Sequence, residues 1–177
     1  MMTMYPNVPF RRVNPDAPTP TYAHEGDAGM DLCATEDVTL LPGEWQKVGS
    51  GIACAIPKGF VGLVVPRSGM GCKGLVLKNG IGVIDSTYRG EISMPLLNNN
   101  PTHVYFPSDD TMGGGYECYE ENFDAIIHIH KGDRVAQLLI VPVAQANMVE
   151  SDTLNDTERG EGGFGSTGTS ITRGPRV

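Results

Sequence analysis

Asp85 and Tyr88 lie in the stretch NGIGVIDSTYRGE (79–91), just after an apolar run gives way to polar residues. A carboxylate at such a strand end could accept a proton from water that attacks a phosphorus atom. General-base help of this kind is worth about 10²–10⁴-fold in rate. Gly80 and Gly82 lack a Cβ, so the main-chain groups beside them could approach a flat ring closely. An isolated Asp-x-x-Tyr spacing is more often a solvated strand end, so the assignment depends on its context.

Two other stretches carry groups suited to phosphate. PRSGMGCKG (66–74) places Arg67, Ser68 and Gly69 in a turn after an apolar run. A guanidinium fork, a hydroxyl and a backbone N–H are all donors to anions. RGEGGFGSTG (159–168) joins an arginine, a phenylalanine and hydroxyls in a glycine-rich segment, which a plain linker does not need. The entropy cost of ordering such a segment would be offset only by a bound ligand, so we expect a closing flap.

Other patterns in the chain are weaker evidence for function. GxGxxG occurs at 69–74 and 160–165, but neither copy stands between a strand and a helix, as dinucleotide binding requires. His128 and His130 could touch a metal from one strand, yet they have no neighbouring carboxylate or thiol, so exposed strand residues are the better interpretation.

The elements that must position these residues are short strands. Apolar runs alternate with turn signals throughout, and no window of 12 or more residues keeps a helical period without Gly or Pro. This spacing predicts an all-β fold, a distorted jelly-roll-like barrel or sandwich with at most a short helical turn. Asn79-Gly80, between two apolar runs, predicts a tight type I′ hairpin.

Composition limits the classes of protein. The 177 residues carry a net charge of −8, so we expect no direct nucleic-acid binding, which needs a basic surface. No apolar run is long enough for a membrane span, and the N-terminus has no apolar signal core. The four cysteines form no CxxC pair. We read them as reduced thiols, most often buried, and expect a cytoplasmic protein (host cytoplasm if phage-encoded).

The domain prediction has three parts. Residues 1–150 are predicted to form the β domain. Residues 151–177 are predicted to be a flexible C-terminal arm that closes over the active site. Residues 101–122, which we call the insert, are acidic, glycine-rich and dotted with tyrosine, and predict a long loop between two strands.

Five stretches in fixed order resemble the trimeric deoxyuridine triphosphatase (dUTPase) family: AGMDLCA (28–34), PRSGMGCKG, NGIGVIDSTYRGE, KGDRVAQLL (131–139) and RGEGGFGSTG. The resemblance covers nearly the whole chain apart from the insert. It implies a homotrimer whose sites are each built by three subunits. It also implies hydrolysis of dUTP to dUMP and pyrophosphate by water attack at the α-phosphorus, which keeps uracil out of DNA and supplies dUMP for thymidylate synthesis.

The resemblance also implies a role for each matching residue. Asp85 is the catalytic carboxylate, and Tyr88 packs under the sugar, where a ribose 2′-hydroxyl would clash. The remaining substrate-binding residues are Asn79, Gly82, Val83 and Ile84 at the uracil, Arg67, Ser68, Gly69 and Gln137 at the phosphates, and Arg159, Phe164, Gly165, Ser166 and Thr167 in the arm. Mg²⁺ is expected to bind through phosphates and water with no direct protein ligand, and Asp31 to reach it through water.

Three alternatives stay open. Inserted versions are familiar among viral and phage members of the family, some of which bind regulatory proteins, so residues 101–122 could bind a regulatory protein. Deoxycytidine triphosphate deaminase shares the fold but needs a glutamate where this chain has Pro95. A non-catalytic β-sandwich module would have no use for Asp85.

Overall fold

The chain folds almost entirely into short antiparallel strands. The structure, a computed structural model, describes residues 6–107 and 116–163. Within these ranges the strands are β1 (Phe10–Arg12), β2 (Met30–Cys33), β3 (Val38–Leu40), β4 (Trp45–Gly49), β5 (Ile52–Cys54), β6 (Phe60–Pro66), β7 (Leu75–Leu77), β8 (Gly82–Ile84), β9 (Ser93–Asn98), β10 (His103–Pro107), β11 (Tyr116–Glu121), β12 (Ile127–Ile129) and β13 (Arg134–Pro142). A single-turn helix, α1 (Ser68–Gly71), and a 3₁₀ turn (Phe123–Ala125) complete them. The predicted all-β class is confirmed.

Two sheets enclose the core. The larger has the order β2-β13-β6-β8 and the smaller β4-β9-β7, while β1-β5, β3-β12 and β10-β11 form separate pairs. Alternate residues face inward in several strands, as in β9, where Met94, Leu96 and Asn98 are buried and their neighbours are less so. Leu32, Val64 and Leu138 from the larger sheet join Met94 and Leu96 in one apolar cluster. Two antiparallel sheets that share a core form a sandwich of the expected jelly-roll type.

A β-bulge in β13 matters for the site. The register with β2 shifts between Arg134 and Ala136, so Val135 is an extra residue in β13. Both Val135 and Ala136 are buried. A bulge bends its strand and redirects the adjacent side chain, which here is Arg134 at the end of the sheet.

Asn98 is a buried polar hub of the fold. Its side chain has no exposed area, and its Nδ2 donates to Leu40 O (2.9 Å) and Ala125 O (2.8 Å). Its Oδ1 accepts from Asn100 N at 3.1 Å. The side chain thereby joins β3, β9 and the end of the 3₁₀ turn. None of these three segments pairs directly with another.

Replacing Asn98 by Leu should lower the free energy of unfolding by on the order of 3 kcal/mol, because two carbonyls and one N–H, all buried or partly buried, would lose this partner. Urea unfolding measures the change. Asn99→Ala, at the exposed neighbour, serves as the control and should cost far less. Equal losses at both positions would contradict the role given to Asn98.

The insert is only partly a loop, and the sequence prediction is wrong for its flanks. Residues 103–107 and 116–121 pair as the antiparallel ribbon β10-β11, with a register shift between Val104 and Tyr105. The ribbon is closed at its base, since Asn122 N donates to Thr102 O (3.0 Å). Residues that favour strands, such as Tyr116 and Tyr119, explain why the second flank is extended.

The thiols differ in exposure. Cys33, Cys54 and Cys72 are free; Cys54 is buried and Cys33 half-buried, but Cys72 is exposed, against the expectation of burial. The side chain of Cys118 lies outside the described residues. Burial raises the pKa of Cys33, and the nearby charge of Asp31 raises it further; burial also raises the pKa of Cys54. Both thiols therefore stay protonated at neutral pH.

The chain divides into two compact units, Met1–Gln145 and Ala146–Val177. The strands all belong to the first unit. The described part of the second unit, residues 146–163, contains no strand or helix, only a turn near Thr157–Glu161. No helix in the described residues is long and apolar enough to cross a membrane.

Candidate active site

The predicted phosphate turn directly follows β6. Arg67 has extended dihedral angles (φ −83°, ψ 135°) and is the N-cap of α1. Its carbonyl accepts from Met70 N (3.1 Å) and Gly71 N (2.9 Å). Ser68 and Gly69 are exposed, and apart from its chain neighbours and the backbone of α1, no atom of the described residues lies within 4 Å of the place where a Cβ of Gly69 would be. The main chain is thus open to a ligand at this turn.

Gln137 reaches the same place from β13. A cavity of about 300 Å³ is lined by Arg67, Ser68, Gly69, Met70, Lys73 and Gln137. The fold therefore brings together four of the predicted phosphate ligands, although they come from two segments of the chain. Register explains this, because Gln137 pairs with Val65 and so lies beside the end of β6, just before Arg67.

Asp31 holds two arginines, one of which, Arg67, lines this cavity. Its side chain is only 9% exposed; Arg67 Nε lies 2.9 Å from Oδ1, and Arg134 NH1 lies 3.1 Å from Oδ2. Only the second contact is a well-aligned hydrogen bond, since Oδ1 has no aligned donor. The pairing at Oδ1 is therefore chiefly ionic, and both carboxylate oxygens are committed to guanidinium groups.

The segment after β7 differs from the predicted hairpin. β7 pairs with β9 and β8 pairs with β6, so the two strands beside Asn79-Gly80 enter different sheets. The turn bond runs from Gly80 N to Leu77 O (2.9 Å), which makes Lys78 and Asn79 its central residues. Gly80 has φ +71°, but no described non-glycine residue has positive φ. The type I′ prediction is therefore wrong, because that turn needs positive φ at both central residues.

The turn is fixed at its first central residue. Lys78 N donates to Pro95 O (2.8 Å), and Lys78 Nζ lies 4.0 Å from the centroid of the Trp45 ring. Asn79 and Gly80 beyond it are exposed. Contacts of Lys78 with β4 and β9 thus hold the turn, while Asn79 and Gly80 face solvent.

Strand β8 lies at a sheet edge. It is the last strand in the order β2-β13-β6-β8, so among the described residues its outer side has no strand partner. Every second residue of an edge strand directs its N–H and C=O outward. Val83 is 61% exposed on this strand, and Ile81 before it is 53% exposed. Unpaired peptide groups beside exposed apolar side chains suit a flat heterocycle.

Asp85 follows β8 at once and is exposed. Its carbonyl accepts from Tyr88 N at 3.0 Å, which closes a turn. Arg89 NH1 donates to Ser86 O (2.7 Å) inside that turn. Tyr88 OH donates to Glu91 O at 3.0 Å. Asp85 and Tyr88 therefore share one braced loop.

The two halves of the predicted site lie apart in a single chain. Gly82 pairs with Val64 and Ile84 with Gly62, so β8 runs back toward the start of β6. Asp85 lies near that start, whereas Arg67 follows the end of β6. Along β6, about six residues at ~3.3 Å each separate the level of Asp85 from that of Arg67, a distance of roughly 20 Å. One chain does not bring Asp85 and Arg67 to the same phosphate.

The predicted arm residues are described only in part. Arg159 Nε donates to Gly162 O (2.8 Å), and Gly160 N donates to Thr157 O (3.0 Å). Phe164, Gly165, Ser166 and Thr167 lie outside the described residues.

Sequence reasoning missed three residues at these places. Lys73 lines the cavity beside Arg67 and Gln137; its position in a glycine-flanked turn after Arg67 was the available signal. Arg134 contacts Asp31 Oδ2 at 3.1 Å, a pairing that no sequence pattern indicated. Glu91 accepts from Gly51 N at 2.7 Å through Oε1 and ties the Asp85 loop to the β4–β5 turn. Contacts between residues so distant in sequence leave no local pattern.

Comparisons with known proteins agree on one family. The dUTPase family model matches residues 15–112 and 120–168, which leaves only seven residues of the insert region unmatched. The deoxyuridine 5′-triphosphate nucleotidohydrolase of Nocardia farcinica is 45% identical over 96% of this chain and 91% of its own.

Solved structures show the same fold. The dUTPase of Staphylococcus bacteriophage 80alpha, solved with dUPNHPP, aligns with a TM-score of 0.77 and 30% identity over 92% of this chain and 99% of that chain. A mutant dUTPase from phage phi11 of S. aureus, which coordinates a structural Mg(II) ion, aligns with a TM-score of 0.69 and 28% identity over 85% of this chain and 100% of that chain. From its sequence and its fold, this chain belongs to the dUTPase family.

Proposed function

We propose that this protein hydrolyses dUTP to dUMP and pyrophosphate, with Asp85 as the general base for water that attacks the α-phosphorus. Family membership supports the reaction. The assignment of residues rests on the exposed carboxylate of Asp85, which lies at the end of the edge strand β8. Within the described part of the chain, the peptide groups on one side of this strand have no strand partner.

Main-chain groups near Asn79 and along β8 would recognise uracil. An edge strand offers donors and acceptors at fixed positions, as in other cases of strand-edge recognition. Cytosine would present a donor where uracil presents an acceptor, and the unpaired polar groups would disfavour it strongly. Uracil placed there would have its α-phosphate near the Asp85 loop.

The phosphate chain would bind to Arg67, Ser68, Gly69 and Gln137 of another subunit. The separation of about 20 Å between Asp85 and Arg67, estimated from strand length, supports a site shared between chains. We therefore propose a homotrimer, in which the arm, including Arg159 and Phe164–Thr167, comes from a third subunit and closes over the ligand.

Mg²⁺ would enter with the substrate. The phosphate cavity offers mainly donors: a guanidinium, an amide side chain, a hydroxyl and a backbone N–H. These groups suit phosphate oxygens better than a hard cation, which takes oxygen ligands. Asp31 is held by two arginines, so we now assign it to orienting them. Mg²⁺·dUTP is accordingly the proposed substrate.

Substitution of Tyr88 by Ala should let the protein accept UTP. The ring is 43% exposed beside the proposed sugar position, and its loss would remove the surface that a 2′-hydroxyl meets. Steady-state kinetics with dUTP and UTP should show the ratio of kcat/KM values falling by about tenfold or more. Tyr22→Ala, at another exposed tyrosine, is the control, and an unchanged ratio in Tyr88→Ala would refute the assignment.

The reaction itself is tested by pyrophosphate release across the common nucleoside triphosphates. We expect rapid release from dUTP and little from dTTP, dCTP or UTP. Ammonia release from dCTP would instead indicate a deaminase. No turnover of any nucleotide would favour a binding module.

The ribbon β10-β11 supports a second candidate role, the binding of a regulatory protein. It forms a sheet of its own and pairs with no other described strand. Exposed Leu41 and Phe123 line a cavity of about 300 Å³ beside its base, together with Thr102 and His103. Phage dUTPases similar to this chain control transfer of virulence genes by a proto-oncogenic G protein-like mechanism.

Deletion of residues 103–121 should leave dUTP turnover within about threefold of the full chain, because an accessory ribbon supplies none of the proposed reacting groups. Thr102 O and Asn122 N are already 3.0 Å apart, so the ends can be joined. A pyrophosphate-release assay checks the rate. A collapse of kcat in a folded protein would show that the ribbon serves catalysis.

A further inference from the structure

The Tyr88 ring is held against a glycine. A Cβ built on Gly90 would lie 2.4 Å from Tyr88 Oη, 2.6 Å from Cζ and 3.0 Å from Cε2. Carbon and oxygen atoms cannot approach so closely, so any side chain at position 90 would push the ring away. The ring occupies the space that the missing methyl group leaves.

The backbone does not require glycine at this position. Gly90 is absent from the glycines with positive φ, so an L-residue could adopt its conformation. This separates Gly90 from Gly51 and Gly80, whose φ values are +69° and +71°. The contact with Tyr88 is therefore the feature that restricts position 90.

The residue after Gly90 is itself fixed. Glu91 O accepts from Tyr88 OH (3.0 Å), and Glu91 Oε1 accepts from Gly51 N (2.7 Å). The next residue, Ile92, is fully buried, and its N–H donates to Ile52 O (2.8 Å). Because the backbone beside Gly90 is anchored in this way, we expect a collision at position 90 to be relieved by movement of the exposed ring.

We propose that Gly90 is a specificity-determining residue, whose lack of a side chain sets the position of the Tyr88 ring and thereby the exclusion of ribonucleotides. This rests on the proposed function, in which Tyr88 packs under the sugar. Gly90 itself touches no reacting atom and acts through Tyr88.

The test compares kcat/KM for dUTP and UTP in Gly90→Ala, Tyr88→Ala, their double variant and Gly71→Ala. Gly71 is the matched control for an added methyl group, since it has ordinary φ and nothing within 4 Å of a Cβ. We expect Gly90→Ala to lower the dUTP/UTP preference about tenfold or more. The double variant should match Tyr88→Ala, because without the ring the methyl group has nothing to displace. Gly71→Ala should keep the wild-type preference.

If Gly90→Ala folds poorly, the variant Tyr88→Phe provides a second test of the inference. It removes the bond to Glu91 but keeps the ring over Gly90, so the preference should stay within about threefold of wild type. A loss as large as that of Tyr88→Ala would overturn the inference. An unchanged dUTP/UTP preference in folded Gly90→Ala would also overturn it. So would a double variant whose loss of preference equals the sum of the free-energy effects of Gly90→Ala and Tyr88→Ala.

The results that would refute the proposed function differ from those that would refute the inference about Gly90. Absence of dUTP turnover in the wild-type protein would refute the reaction. An unchanged preference in Tyr88→Ala would refute the role of the ring. Normal results in both, with no effect of Gly90→Ala, would refute only the inference about Gly90.

Discussion

Asp85→Asn is expected to lower kcat for dUTP by about 10²–10⁴-fold while a non-hydrolysable dUTP analogue still binds, because the amide cannot accept the proton of the attacking water. The carboxylate is exposed at the end of β8. We therefore expect the substitution to leave the unfolding temperature nearly unchanged. Rapid-quench turnover and calorimetric binding measure the two quantities separately.

Asp16→Asn is the control for this experiment. Asp16 is an exposed carboxylate paired with Lys131 at 3.1 Å, and its neutralisation should change kcat little because surface pairs contribute little. Loss of binding together with turnover in Asp85→Asn would mean that the residue holds substrate. A normal kcat would remove Asp85 from the mechanism.

Truncation after Glu158 should lower kcat for dUTP on the order of 10²-fold or more while the oligomer stays intact. The truncation removes Arg159, Phe164, Ser166 and Thr167, which are proposed to contact the terminal phosphates and the uracil face. Loss of preorganised donors to a transition state of this kind costs about 10²–10³-fold for a single group. The glycine-rich composition of the segment suits close approach of its main chain to the ligand.

Truncation after Ile171 is the matched comparison, since the family match ends at residue 168. It should keep the wild-type rate. Light scattering on both variants should give the mass of the full-length oligomer. An unchanged rate after truncation at Glu158 would refute the closing arm, and dissociation of the oligomer would assign the segment to assembly instead.

Motifs that act locally could be predicted from the sequence. Arg67, Ser68 and Gly69 form a turn at the end of β6, as expected, because an apolar run followed by Pro and Gly ends a strand there. The all-β class also followed from the spacing of turns and apolar runs. Both depend on neighbours in sequence, which a single chain displays.

The strand β9 shows where such reasoning fails. Pro95 lies inside a strand paired on both sides, although proline normally disfavours central strands. Its carbonyl accepts from Lys78 N, just after β7 has ended. The missing N–H faces that same side, beyond the end of β7, so it removes no bond from the ladder between β7 and β9. Only the register of three strands reveals this.

The type I′ prediction at Asn79-Gly80 was wrong for a related reason. The dipeptide favours a type I′ hairpin locally, but β7 and β8 are drawn into different sheets by β9 and β6. Tertiary pairing therefore overrides the local preference. The ion pairs of Asp31 with Arg67 and Arg134 were equally hidden, because three separate segments of the chain supply the partners.

The central claim is that peptide groups near Gly80 recognise uracil while Asp85 directs water at the α-phosphorus. A crystal structure of the full-length protein with a non-hydrolysable dUTP analogue and Mg²⁺ tests both parts at once. We predict that uracil is bonded to main-chain atoms of residues 79–84, with a water molecule held between the Asp85 carboxylate and the α-phosphorus. A nucleobase bound away from β8, or an α-phosphate out of reach of Asp85, would contradict the account.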